Sequence, residues 1–142
     1  MIVDVYRTKR ESFNTEEIRK MAARVLSDLG IKKAKNFLLS IYVVKMTGDE
    51  IYGYSGGDWW GKEFEGDIEI KSGLSQEDFI ITLAHELTHI KQYYRKELVI
   101  HSAGFVWRGQ EYAADTPYCA RPWENEAYDF ENKYLQVFNN GI

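Results

Sequence analysis

Residues 75–95 read SQEDFIITLAHELTHIKQYYR, and this stretch decides the fold of the chain. Ser75 followed by Asp78 is typical of a helix N-cap, and apolar residues recur after it at helical spacing. The apolar stripe comprises Phe79, Leu83, Leu87, Ile90 and Tyr94. The pattern predicts a long amphipathic helix from Ser75 to about Arg95, with two histidines that lie off the stripe.

His85 and His89 lie four residues apart on this helix, so their imidazoles project from one face about one turn apart. At that spacing both rings can bind one Zn²⁺ at about 2.0–2.1 Å. Glu86 is rotated by about 100° from His85, so it lies beside the ion and acts on its water without binding the metal. We therefore predict His85 and His89 as metal ligands, Glu86 as the general base, and one zinc ion as the cofactor.

A third ligand must come from elsewhere, because catalytic zinc usually has three protein ligands and a water. His101 is the only other histidine, but it follows His89 by only twelve residues in a predicted strand, so we expect it at the surface or near a substrate. A last helix is predicted to begin at Pro122. Its apolar face comprises Trp123, Ala127, Phe130, Tyr134 and Phe138. Its first turn carries Glu124 and Glu126, and one of these carboxylates is expected to complete a set of two histidines and one glutamate.

The helix with His85-Glu86-x-x-His89, followed by a second helix with Glu-x-x-Ala, resembles the gluzincin group of zinc metallopeptidases. The short length is similar to that of minigluzincins and of phage-encoded metallopeptidases of the SprT-like or ImmA/IrrE-like type. In this group a small residue typically follows the ligand glutamate by three positions, so the resemblance implies Glu124 as the third metal ligand. Glu126 remains the alternative, because Glu126-Ala127 resembles the Glu-Ala pair of the thermolysin-like branch and Tyr128 replaces the usual Asp or Asn.

The resemblance also implies the fold and the partner. It implies a single zincin-like metallopeptidase domain over residues 1–142, of the α+β class, with a small mixed β-sheet packed on the active-site helix and a C-terminal helix that bears the glutamate. Such a sheet has an edge strand that precedes the active-site helix and binds an extended peptide. Asp67 to Lys71 alternates as a half-exposed strand does, so we expect this edge there and a peptide or protein substrate as its partner.

Local patterns predict further elements in the first half of the chain. Ile2 to Tyr6 alternates as a short strand does. Asn14 and Glu17 have the spacing of a capping box, which predicts a helix that ends near Gly30. The residues from Phe37 to Lys45 are β-branched, aromatic and apolar on both sides, which predicts a central strand covered on both faces.

Two glycine-containing segments indicate turns and hairpins. The stretch from Gly53 to Gly61 predicts a hairpin or an exposed loop, in which Trp59 or Trp60 is a candidate for substrate contact. Leu98 to Trp107 and Gln110 to Ala113, joined through Arg108-Gly109, predict a β-hairpin.

The composition argues against several classes of protein. The 18 basic and 22 acidic residues give a net charge of −4 without a basic patch, so no nucleic-acid partner is indicated. Cys119 is the only cysteine, which excludes a thiolate-built zinc site. The start of the chain is charged and no run reaches about 18 apolar residues, so we expect a cytoplasmic protein without signal peptide, transmembrane segment or membrane partner.

The predicted function is zinc-dependent hydrolysis of peptide bonds, in which Glu86 accepts a proton from the zinc-bound water. The oxyanion that develops needs a donor, and the candidates are His101, Tyr112, Tyr118 and Tyr128. Asp129 is a candidate for orienting a metal-bound histidine. One alternative is a non-catalytic zinc-binding regulatory or protein-interaction domain of the same fold. Another is an aromatic-rich binding module that uses Trp59 and Trp60, in which the histidine pattern has no function.

Overall fold

A computed structural model describes residues 1–7, 13–48 and 51–139, apart from the side chains of 137–139. Within these ranges the chain forms three α-helices and two β-sheets, which confirms the predicted α+β class. The first sheet consists of β1 (Ile2–Arg7), β2 (Phe37–Val44), β3 (Gly53–Trp60) and β4 (Glu63–Lys71). The second consists of β5 (Leu98–His101), β6 (Gly104–Trp107) and β7 (Gln110–Ala113). The helices are α1 (Thr15–Asp28), α2 (Gln76–Tyr94) and α3 (Pro122–Asn139), with a 3₁₀ turn at Tyr118–Ala120.

The first sheet is mixed, with the strand order β1-β2-β4-β3. β2 pairs in parallel with β1 and β4, so the predicted central strand is confirmed, whereas β3 runs antiparallel to β4. The prediction that Asp67–Lys71 forms the edge is wrong, because these residues belong to β4, which lies between β2 and β3. Glu65, Asp67 and Glu69 alternate with buried residues because one face of the sheet is exposed, not because the strand lacks a neighbour. The edge next to β4 is β3.

Both of the first two helices pack on the same face of this sheet. Ile41 of β2 and Ile68 of β4 lie in one core with Leu26 of α1 and Leu87 of α2, and each of these residues is fully buried. On the other face, the ring of Tyr42 stacks on that of Tyr6 at 5.1 Å between centroids, and both remain exposed. The prediction that β2 is covered on both faces is therefore wrong.

The predicted starts of α1 and α2 are confirmed by side-chain caps. The Asn14 side chain accepts a hydrogen bond from the Glu17 backbone at 2.8 Å, and the Glu17 side chain accepts one from the Asn14 backbone at 3.0 Å. At the start of α2 the Ser75 hydroxyl accepts from the backbone of Asp78 at 3.1 Å. These bonds satisfy donors that have no partner within the helix, so the beginning of each helix is determined locally.

The glycine-rich segment forms strand β3, which turns back at Gly61 to pair with β4 as a hairpin. Its glycines permit a close approach to α2. A Cβ atom at Gly53 would lie 2.8 Å from Cγ2 of Thr82, and one at Gly57 would lie 3.1 Å from Cβ of Tyr93. Because larger residues would push the strand outward, these glycines let β3 lie directly against the helix that carries the histidines.

The second sheet packs against the beginning of α3. The predicted turn at Arg108-Gly109 is confirmed, with positive φ angles of 47° and 86° that suit a tight hairpin. The expectation that Leu98–Trp107 is one strand is wrong, because the chain reverses after His101 and forms the β5–β6 hairpin first. Leu98 and Trp107 pack with the buried Trp123 of α3 in a small second core.

Candidate metal centre

Three side chains from two helices converge in the described part of the chain. Nε2 of His85 and Nε2 of His89, both on α2, each lie 3.1 Å from the same carboxylate oxygen, Oε1 of Glu124 on α3. The candidate ligand atoms of the three residues lie within 4.8 Å of one another, so they could hold one metal ion. Trp123 and Ala127 are buried on either side of Glu124 and fix the rotation of α3 that brings this carboxylate to the histidines.

The orientation of His89 is set by Gln92, which is fully buried. The Gln92 amide nitrogen donates to the Trp123 carbonyl at 3.0 Å and to Glu126 at 2.9 Å, so the amide oxygen must point away from both. This oxygen lies 2.8 Å from Nδ1 of His89. Nδ1 therefore carries the proton and donates it, which leaves the lone pair of Nε2 directed at the cluster.

His85 is oriented by a carboxylate in the same way. Its Nδ1 lies 2.8 Å from Oε2 of Glu131, which belongs to α3 as Glu124 does. Burial lowers the pKa of His85, but hydrogen bonds to Glu124 and Glu131 and the charge of Glu86 outweigh burial and raise that pKa to about 10. The carboxylates thus favour positive charge at this position, which a proton or a metal cation can supply.

The donor set fits zinc. Two imidazole nitrogens and one carboxylate oxygen are ligands that Zn²⁺ accepts, and sets of two histidines and one glutamate occur in catalytic zinc sites. Each histidine has a partner on Nδ1, so Nε2, which faces Glu124, is the nitrogen that would bind a metal ion, as is usual for metal-bound histidines. Burial raises the pKa of Glu124, but the hydrogen bonds with His85 and His89 and the charges of both rings outweigh burial and lower that pKa to about 2, so the carboxylate is ionised at neutral pH.

Glu86 is buried beside the cluster and accepts a hydrogen bond from one side chain of the described residues. The Ser55 hydroxyl of β3 donates to Oε1 of Glu86 at 2.8 Å. Burial raises the pKa of Glu86, against the charges of His89 and His85 and the Ser55 hydrogen bond. A carboxylate whose affinity for protons is raised by burial can serve as a general base near neutral pH.

Glu126, the alternative ligand, lies away from the two histidines. Its carboxylate pairs with Lys91 at 2.6 Å and with Arg108 at 3.1 Å, besides its bond from Gln92. Lys91 is buried and also pairs with Glu97 at 2.9 Å. The structure thus places Glu124 at the cluster, whereas Glu126 acts on it indirectly by orienting the Gln92 amide.

The cluster lies in an open cleft of about 680 Å³. β3 contributes Gly53, Tyr54 and Ser55 to its wall, and α2 contributes the histidines and Glu86. On the α3 side the lining includes Tyr118, Arg121 and Tyr128. The cleft therefore gives a ligand access to the candidate metal ligands and to β3 together.

The remaining predicted site residues divide into two groups. Tyr118 and Tyr128 line the cleft, and the Tyr128 ring lies 4.8 Å from that of His85 between centroids. Four others lie outside the cleft lining: His101, Tyr112, Asp129 and Trp60. Trp59 also lies outside it and stacks on Tyr94 at 5.3 Å, with its indole nitrogen donating to the Tyr94 carbonyl, so it is a packing residue.

Sequence reasoning missed three polar residues that support the cluster: Gln92, Glu131 and Ser55. Gln92 follows His89 by three residues, and Glu131 follows Glu124 by seven, so helical spacing places each on the same helix face as its neighbour. That spacing could have identified Gln92 and Glu131 as neighbours of the predicted metal ligands. Ser55 gave no local signal, because its contact with Glu86 joins residues 31 positions apart.

No protein-family model and no curated protein sequence matches this chain. None of the helices within residues 1–7, 13–48 and 51–139 is long and apolar enough to cross a membrane.

Replacing Gln92 by leucine is expected to weaken zinc binding by roughly 10- to 100-fold, the usual effect of losing an outer partner of a metal ligand. Leucine removes the acceptor of the His89 Nδ1 proton, so the ring is no longer held with Nε2 towards the cluster. The measurement is a competition titration of zinc against a chelating dye. Gln76→Leu, at an exposed position of the same helix, is the matched control and should bind zinc as the parent does. Equal affinities for Gln92→Leu and the parent would contradict the role of Gln92.

Proposed function

We propose that this chain is a zincin-like zinc metallopeptidase of the gluzincin type that hydrolyses peptide bonds. The observation that carries the proposal is the convergence of His85, His89 and Glu124, with the buried Glu86 beside them in the same cleft. Among the described residues no fourth protein ligand joins the three, so a ligand set of this kind leaves a coordination position for water or substrate. The mixed sheet with an antiparallel edge strand beside α2 supports the zincin-like assignment.

The division of roles follows from the positions of the side chains. His85, His89 and Glu124 would hold the zinc ion, which would supply Lewis-acid activation of a water molecule and of the substrate carbonyl. The role of Glu86 is to accept a proton from the water molecule whose oxygen adds to the carbonyl carbon of the peptide bond. Glu86 then returns the proton to the amide nitrogen, so the carbon–nitrogen bond breaks and the leaving amine is neutral. The Ser55 hydroxyl holds one carboxylate oxygen of Glu86 during both transfers.

The substrate is proposed to bind as an extended strand along β3. This strand pairs with β4 on one side only, and on its other side no strand of the described part of the chain pairs with it. Gly53, Tyr54 and Ser55 of β3 line the cleft beside Glu86, so a peptide that pairs with their backbone passes over the candidate ligands. Backbone pairing of this kind supplies affinity that is independent of the substrate sequence.

The proposal is tested by zinc-dependent cleavage of an unfolded protein. The purified chain should cleave reduced, carboxymethylated casein when loaded with one equivalent of zinc, and mass spectrometry should show new peptide termini. Removal of the metal with 1,10-phenanthroline should abolish cleavage, and added zinc should restore it. A protein that binds one zinc ion tightly but yields no new termini from casein or from randomised peptides would instead be a non-catalytic zinc-binding domain.

A further inference from the structure

Arg121 is a positively charged residue in a cleft that also contains several carboxylates. It lies directly before α3 and three residues before Glu124. Three carboxylates that surround the candidate metal centre, Glu86, Glu124 and Glu131, line the same cleft. In the described part of the chain, no other lysine or arginine lines it.

The Arg121 side chain is held in place by a hydrogen bond from Nε and by two aromatic rings next to its guanidinium group. Nε donates to the Thr116 carbonyl at 2.8 Å. The guanidinium carbon lies 4.8 Å from the ring centroid of Phe105 and 4.5 Å from that of Tyr118. Aromatic contacts of this kind hold a guanidinium group in a fixed plane, so little conformational entropy is lost when it binds a ligand.

The two terminal nitrogens of Arg121 have no carboxylate partner among the described residues. Arg24 and Arg108, by contrast, pair with Asp28 and with Glu97 and Glu126. The nearby carboxylates are engaged elsewhere, since Glu124 faces the histidines, Glu131 binds His85 and Glu86 accepts from Ser55. Arg121 therefore lines the cleft with a fixed guanidinium group whose two terminal nitrogens pair with no carboxylate of the described residues, and such a group can bind a carboxylate through two parallel hydrogen bonds.

We propose that Arg121 binds a carboxylate group of the substrate and makes the enzyme selective for peptides with an acidic group at one position relative to the cleaved bond. This inference rests on the proposed peptidase function. Away from the candidate metal centre, Arg121 is the one cationic side chain of the described residues in the cleft lining, and Glu86 and Glu131 repel an anion from their part of it. The carboxylate belongs either to an Asp or Glu side chain or to the free C terminus of the peptide, and the guanidinium group recognises both in the same way.

The first test is a cleavage profile of two randomised synthetic peptide libraries, one with amidated and one with free C termini. In both libraries the zinc-loaded parent should select an Asp or Glu at one fixed position by roughly 10- to 100-fold over alanine, as expected for a charge-assisted hydrogen bond. If the bound carboxylate is the C terminus of the peptide, cleavage should instead occur at a fixed distance from the C-terminal end. This pattern should appear only in the library with free C termini.

Variants of Arg121 test whether this residue causes the selection. Arg121→Gln should remove it, and Arg121→Glu should replace it with selection for Lys or Arg at the same position, which also shows that the variant is folded. Arg24→Gln causes the same change of net charge at an exposed position outside the cleft and should keep the profile of the parent. The inference is overturned if the parent cleaves the libraries without acidic or C-terminal selection, or if the selection survives in Arg121→Gln.

A binding measurement separates this inference from the proposed function. The zinc-loaded Glu86→Gln variant is titrated with fluorescent, end-blocked alanine peptides that carry one central Glu or none. The Glu peptide should bind about tenfold more tightly, and the additional substitution Arg121→Gln should remove the difference. If the parent cleaves nothing but this difference is found, the peptidase proposal fails and the carboxylate site stands. If the parent cleaves peptides but neither measurement shows acidic or C-terminal preference, only the carboxylate site fails.

Discussion

Replacing Glu86 by glutamine is expected to reduce peptide hydrolysis by at least about 100-fold while zinc binding persists. Glutamine has nearly the shape of glutamate, and its amide can still take part in a hydrogen bond with Ser55, so the cleft keeps its form. The amide cannot accept the proton of the attacking water, however, and the step that needs a base becomes slow. The measurement pairs kcat/KM on a cleaved peptide with the zinc content of the purified variant.

A control for Glu86→Gln is Glu77→Gln, which makes the same change at an exposed position in the first turn of α2. That variant should retain both the activity and the zinc of the parent. Hydrolysis by Glu86→Gln at the rate of the parent would show that Glu86 is not the base, and the assigned mechanism would then be wrong. Loss of zinc from Glu86→Gln would show that Glu86 acts on the metal ligands and not on the proton.

Glu124→Gln is expected to lower the affinity for zinc by more than about 100-fold, beyond the effect of losing an outer partner. The substitution removes the negative charge that faces both histidines and replaces a carboxylate with a weak amide ligand. Isothermal titration of the metal-free protein with zinc at constant pH measures this loss directly.

Glu126→Gln is the matched control for Glu124→Gln, because it lies on the same helix only two residues away. Its amide oxygen can still accept from Lys91 and Gln92, so its zinc affinity should stay within about tenfold of the parent. Its main effect should be on stability, since the buried Lys91 loses one of its two negatively charged partners. A larger loss of zinc affinity in Glu126→Gln than in Glu124→Gln would reverse the assignment of the third ligand.

Local interactions made much of the fold predictable from sequence. The caps at Asn14 and Ser75 and the turn at Arg108-Gly109 depend on residues a few positions apart, and all three were predicted. The spacing of His85, Glu86 and His89 is likewise a property of one helix. Any fold that forms α2 places these three residues at the same positions relative to one another on the helix.

Strand order depends on pairing between distant segments, so a local pattern does not determine it. The alternation in Glu63–Lys71 correctly showed that one face of β4 is exposed, but an alternating strand can lie at an edge or in the interior of a sheet. The edge beside α2 is β3, whose many glycines were taken for a loop or hairpin signal. The glycines are explained by a tertiary contact, since they let the strand lie against α2.

The choice between Glu124 and Glu126 also required the tertiary structure. Two residues apart on a helix, their side chains point in nearly opposite directions, and the sequence does not show which direction faces α2. Burial of Trp123 and Ala127 sets the rotation of α3, which brings Glu124 to the histidines and Glu126 to Lys91. The sequence by itself determined a helix whose two histidines are spaced to share a metal ion, whereas packing between helices decided which glutamate lies beside them, which partners orient the histidines and where Arg121 lies.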